Sequence, residues 1–182
     1  MSIDRRRLAL LTAVALLIAA VWIIVGVFFA SQAHLIATAR GEPEDPGTRA
    51  AETAAGVIIW ALLTPFVIGL AERLPIASPH RVRNTIALLL IGLPFAVGRA
   101  AVDVAISTMF GGPLTPEMFR RTLWFVVHTH FLFFMVITAG VNMLRLSREA
   151  EERERRKARA EAQLAQSQLR RLRTDLQPHF LF

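Results

Sequence analysis

Few side chains in this sequence have chemistry to offer, and they fall into two groups. The first lies inside apolar runs: Arg99 and Asp103, four residues apart, and His128 and His130, two apart. An Arg with an Asp at i+4 shares one helix face with it and can neutralise it, which is what a charge within an apolar segment requires. His128 and His130 point to different faces of a regular helix, so the pair cannot ligate one metal ion. The second group is a single residue, His179, directly after Pro178. A neutral imidazole is nucleophilic near physiological pH, and its two nitrogens divide attack from orientation. Pro178 removes one helical hydrogen bond and kinks a helix just before that histidine. His34 and His80 sit near the ends of apolar runs and read as solvated. Cysteine is absent, which excludes disulfides, thiolate metal sites and cysteine nucleophiles.

The elements that must position these groups follow from composition. The chain is 54% hydrophobic and only 19% charged, too apolar for a soluble domain of 182 residues. Its apolar residues are bunched into four runs. Leu8 to Ala30 follows Arg5, Arg6 and Arg7 and is long enough, at about 1.5 Å per residue, to cross roughly 30 Å of hydrocarbon. It exceeds the apolar core of a signal peptide, about 7 to 15 residues, and reads as an uncleaved anchor. The second run, Ala54 to Leu70, contains Trp60 and Thr64-Pro65; the third starts near Thr85, carries Pro94, Arg99 and Asp103, and breaks at Gly111-Gly112-Pro113. The fourth, Leu123 to Leu144, holds His128, His130 and Asn142.

Arginine placement orients these spans. Arg5 to Arg7, the loop with Arg73, Arg81 and Arg83, and the tail from Arg145 fall on one side; the acidic Gly41 to Gly47 loop and the Gly112 to Arg121 loop fall on the other. Four spans with both termini cytoplasmic is the expected topology. It also accounts for the net charge of +7 better than nucleic-acid binding does, because most basic residues flank apolar runs or alternate with Glu. Arg99, Asp103, His128 and His130 then lie at similar depth and form an expected polar layer. Two readings of that layer stay open: a site for a ligand, ion or proton, or a cluster that fixes helix packing.

No glycine or proline occurs from Val141 to Gln177, so the fourth span is expected to continue as one helix. Glu149 and Arg153, Glu151 and Arg155, and Glu152 and Arg156 have the i, i+4 order that supports an exposed helix. Ala158, Ala162, Ala165, Leu169, Leu172 and Leu176 recur at alternating spacings of four and three, the seam of a coiled coil, with a second copy of the chain as the natural partner. The expected fold class is therefore all-α: a four-helix transmembrane bundle continuing into a long cytoplasmic coiled-coil helix. Its divisions are a sensor region 1–144, a linker 145–173 and a terminal segment 174–182.

The terminal segment contains Gln177-Pro178-His179-Phe180-Leu181-Phe182, which resembles the phosphoacceptor box of the LytS-like sensor histidine kinases, with its Pro-His-Phe-Leu-Phe-Asn core. Trp60-Ala-Leu-Leu-Thr-Pro65 is similar to a segment of four-span members of that family. The resemblance implies a bacterial inner-membrane sensor of a two-component system. Its His179 would take the γ-phosphoryl of ATP, with magnesium, and pass it to an aspartate of a response regulator. It also implies that the family's continuation, an Asn and then a glycine-rich ATP-binding domain, lies beyond Phe182. No phosphate-cradling glycine loop occurs within the 182 residues, so this stretch by itself is expected to bind no nucleotide and to be at most a substrate in trans. His179 falls three residues beyond Leu176 on the seam, so either the Pro178 kink turns it outward or the seam ends at Leu176. The alternative reading is a non-enzymatic membrane scaffold with a coiled-coil recruitment arm. A small transporter fits less well, since no internal repeat accompanies the long arm.

Overall fold

The computed structural model describes residues 5–41, 45–76, 79–111 and 115–176. The described residues form four α-helices and no strand: α1 (Arg5–Arg40), α2 (Pro46–Arg73), α3 (Arg81–Met109) and α4 (Pro116–Leu176). All four are long and apolar enough to cross a membrane.

The helices stop where local chemistry stops them. Gly41 follows α1 with φ +65°, a left-handed conformation that ends a helix at little cost only when there is no Cβ, and its N–H donates to the Thr38 carbonyl. Asp45 caps α2 by accepting from the N–H groups of Gly47 and Thr48, and Pro46 occupies the first helical position, where its missing N–H loses nothing. Between α2 and α3 the buried Asn84 donates from Nδ2 to the Pro75 carbonyl at 2.8 Å, so the connection is tied to the start of α3. Gly111, φ +89°, follows α3.

The chain divides into two compact units, Met1–Ala139 and Gly140–Phe182. In the first unit, rising residue numbers on one helix meet falling numbers on the next, the signature of antiparallel neighbours. Trp22 meets Thr64 and Gly26 meets Val57 between α1 and α2; Gly56 meets Arg99 and Val67 meets Leu88 between α2 and α3. Asp103 meets His130 and Gly92 meets Phe134 between α3 and α4. One end of the unit is dry: Val67, Leu88 and Phe134 form a fully apolar cluster with Leu70, Phe95, Met135 and Ile137 packed around it. A Cβ on Gly92 would lie 2.8 Å from the Phe134 ring, so the glycine is what lets that ring seat on α3.

The second unit is helical to Leu176. From Met143 to Arg171 its side chains are exposed, apart from a half-buried Glu149. Glu151 pairs with Arg155 and Glu152 with Arg156, as their spacing predicts, while Glu149 accepts from Arg145 Nε at 3.0 Å rather than from Arg153. Both choices lie four residues away, so spacing alone does not separate them. Ala158, Ala162, Ala165 and Leu169 of the expected seam are exposed in the single chain; the side chains of Leu172 and Leu176 lie outside the described residues.

Candidate functional site

The polar groups of the first unit are assembled from all four helices. Trp22 on α1 donates its indole N–H to Thr64 Oγ1 on α2 at 2.8 Å, and Thr64 donates onward to the Trp60 carbonyl at 2.7 Å. Trp60 donates from Nε1 to His130 Nδ1 on α4 at 3.3 Å, and His130 Nε2 meets Asp103 Oδ2 on α3 at 2.5 Å. The other oxygen of Asp103 accepts from Arg99 Nη1, and Arg99 Nη2 reaches back to the Gly56 carbonyl on α2 at 3.4 Å. These bonds form an unbroken chain whose members Trp22, Trp60, Thr64, Arg99 and His130 are all at most 6% exposed.

The order of donors fixes the histidine. An indole N–H can only donate, so His130 Nδ1 carries a lone pair and the ring proton sits on Nε2, where it is donated to the Asp103 carboxylate. Asp103 therefore stands between a guanidinium and an imidazole N–H. Both of its oxygens are used, the arrangement that makes a half-buried carboxylate tolerable within an apolar helix bundle. Arg99 is less well served: its Nε–H is buried and finds no acceptor among the described residues.

Around this chain the rings are packed face and edge. Trp22 stacks on Trp60 with centroids 4.8 Å apart, and Phe133 meets both indoles edge-on, at 5.2 Å and 5.5 Å. Trp22, Trp60, Arg99, Asp103 and His130 line a cavity of about 460 Å³, which extends past Gly26 and Ala30 on α1 to Arg49 and Glu52 on α2. Its walls are mostly apolar, with charged groups at the Arg99–Asp103–His130 cluster and at Arg49 and Glu52. Among the described residues no group of three or more His, Asp or Glu side chains is placed to hold a metal ion.

Of the residues singled out in the sequence, Arg99, Asp103 and His130 are thus brought together. His128 is not: it is exposed, stacks on Trp124 at 5.9 Å and bonds to the Trp124 carbonyl one turn back. Pro178 and His179 lie outside the described residues. Trp22, Thr64 and Gly56 escaped the sequence reading. The available signal was the indole itself, since a Trp in the middle of an apolar run must find an acceptor for its N–H. No family model matches the chain, and no curated protein or solved structure matches it either.

Proposed function

We propose that this chain is the sensory and signal-transmitting part of a dimeric, LytS-like sensor histidine kinase of a two-component system. It sits in the bacterial inner membrane with four spans and both termini cytoplasmic. The observation that carries the reading is the Gln177 to Phe182 hexapeptide, whose order of proline, histidine and aromatic residues resembles a phosphoacceptor box. Four long apolar helices, and a fourth helix that continues for 61 residues with neither glycine nor proline after Val141, support it.

In this reading a neutral imidazole nitrogen of His179 attacks the γ-phosphorus of ATP, the bond to the β–γ bridging oxygen breaks and ADP leaves. The phosphoryl group then passes to an aspartate carboxylate of the response regulator. The same helix carries His130 and leads to His179, so a change at the hydrogen-bonded cluster biases how the linker helices of two copies pack along the Ala158 to Leu176 stripe. That is a two-state bias on one element and requires no further chemistry.

The test is labelling of the natural gene product in membranes with radiolabelled ATP. An acid-labile, alkali-stable label that His179→Gln abolishes is the expected result. A label that survives His179→Gln places the acceptor elsewhere, and no label in the wild type turns the reading toward a membrane scaffold.

A further inference from the structure

The cavity between the helices, about 460 Å³, falls within the range of roughly 300 to 1,000 Å³ usual for small-molecule sites. What a ligand could bond to depends on which polar groups its walls leave within reach. The guanidinium and imidazole of the cluster are closed off: the side chains of Arg99 and His130 are 2% and 6% exposed. The carboxylate between them is open. The Asp103 side chain is 27% exposed, and each of its oxygens has one partner where two lone pairs are available.

A second carboxylate stands at the same level. Arg99 reaches α2 at Gly56, and α2 and α3 run antiparallel, so one turn on from Arg99, at Asp103, lies level with one turn back from Gly56, at Glu52. Glu52 lines the cavity, is half-buried, and makes no hydrogen bond or ion pair among the described residues. Arg99 is matched by Asp103 and Arg49 is already engaged, so Glu52 is the charge left to compensate. A carboxylate against apolar walls is costly without a partner, and a ligand that donates to it gains accordingly. A bare divalent ion does not fit, because it needs about six oxygens and no group of three His, Asp or Glu side chains is placed for one among the described residues. The rest of the lining, with Val57, Ile106, Val126 and Phe133, calls for an apolar body instead. We infer that this cavity binds an organic ammonium compound, its apolar body between the helices and its N–H groups donated to Glu52 and Asp103. The inference deepens the sensor reading by naming the class of stimulus, and it rests on that reading only for its consequence. Failure to bind leaves the His179 reading intact, and failure to label His179 leaves a binding result intact.

The probe is radiolabelled naphthylmethylamine, equilibrated with the purified chain in phosphatidylcholine nanodiscs, with binding to empty nanodiscs subtracted. Naphthylmethanol, the same body without the charge, and naphthoate, with the opposite charge, serve as competitors. Saturable binding is expected, displaced by naphthylmethanol only at roughly 10- to 100-fold higher concentration, the factor for a hydrogen bond to a charged group. Glu52→Gln keeps the shape of the side chain, removes its charge and lies outside the bonded chain from Trp22 to Arg99. It should weaken the amine by that same factor while leaving the alcohol unchanged. Ala30→Phe fills the cavity, also outside that chain, and should abolish saturable binding while helicity by circular dichroism is retained. Binding no greater than to empty nanodiscs, equal affinity in Glu52→Gln, or saturation that survives Ala30→Phe overturns the inference. So does naphthoate displacing the probe better than naphthylmethanol, which would make the site one for anions.

Discussion

The two ends of the four-helix unit are held together in different ways. At Val67, Leu88 and Phe134 apolar packing dominates: the side chains are fully or nearly fully buried and make close contact with a glycine. From Trp22 to Arg99 the work is done by a chain of donors and acceptors in which each helix supplies at least one group. The difference matters because the outside of this unit is as apolar as its inside, with Leu16, Ile24, Leu62, Phe66, Leu90 and Leu132 all exposed. Where both faces of a helix are greasy, hydrophobicity says little about which face turns inward, and packing shape and interhelical hydrogen bonds must specify it. The dry end fixes how close the helices come; the polar end fixes which faces meet.

The largest break in that contrast comes from Asp103. Asp103→Ala leaves the Arg99 guanidinium buried with no counter-charge and removes the acceptor of His130, and should destabilise the unit by about 3 to 5 kcal/mol. Arg99→Met combined with Asp103→Leu should cost less than that single change, since no buried charge is then left alone. Chemical denaturation in detergent, followed by tryptophan fluorescence, gives both values. A double variant as damaged as the single one would mean that the polar end is held by packing like the dry end.

A smaller effect compares the two ends through glycine. At Gly92 an added methyl would sit 2.8 Å from the Phe134 ring, which is completely buried and cannot swing away, so Gly92→Ala should destabilise by about 1 to 3 kcal/mol. At Gly56 the added methyl meets only Arg99 Nη2, at an ordinary 3.6 Å, and alanine favours the helix over glycine by up to about 1 kcal/mol. Gly56→Ala should therefore leave the thermal midpoint unchanged or raise it. The reverse order of midpoints would show that the polar end is the tighter of the two.

How much of this was legible in the sequence depends on the range of each interaction. The four helices follow from apolar runs, but the runs mark only the apolar part: α1 continues from Ala30 to Arg40, and α2 begins at Pro46, well before Ala54, because capping and backbone propensity set helix ends. Arg99 with Asp103 was readable because four residues is one helical turn. His130 meets Asp103, yet spacing says only that it and His128 face different ways, and the choice between them needs the register of α3 against α4. Trp22 with Thr64, 42 residues apart, depends on the register of α1 against α2, which no local pattern encodes.

The smallest effect separates pH dependence at the surface from any inside the bundle. Asp45 is fully exposed, and its carboxyl is held below the usual carboxylate range, first by the hydrogen bond from the Thr48 hydroxyl and then by the N–H groups of Thr48 and Gly47. A depressed folded-state value means that the cap stabilises fully above the ordinary carboxylate pKa and loses its contribution as pH falls through the lower folded value. Asp45→Ala should thus lower the thermal midpoint modestly at neutral pH, and the gap from wild type should close as the solution is made strongly acidic. Asp45→Asn, which can still accept hydrogen bonds but cannot ionise, should show a smaller gap at neutral pH that also closes in acid, because it is the wild-type carboxylate that titrates. Because Asp45 opens the helix that carries Gly56, Trp60 and Thr64, its own titration would otherwise be read as belonging to the buried chain. In an Asp45→Asn background, any acid transition that remains belongs to other groups. If Asp45→Ala keeps its full deficit in acid, the cap does not act through its charge.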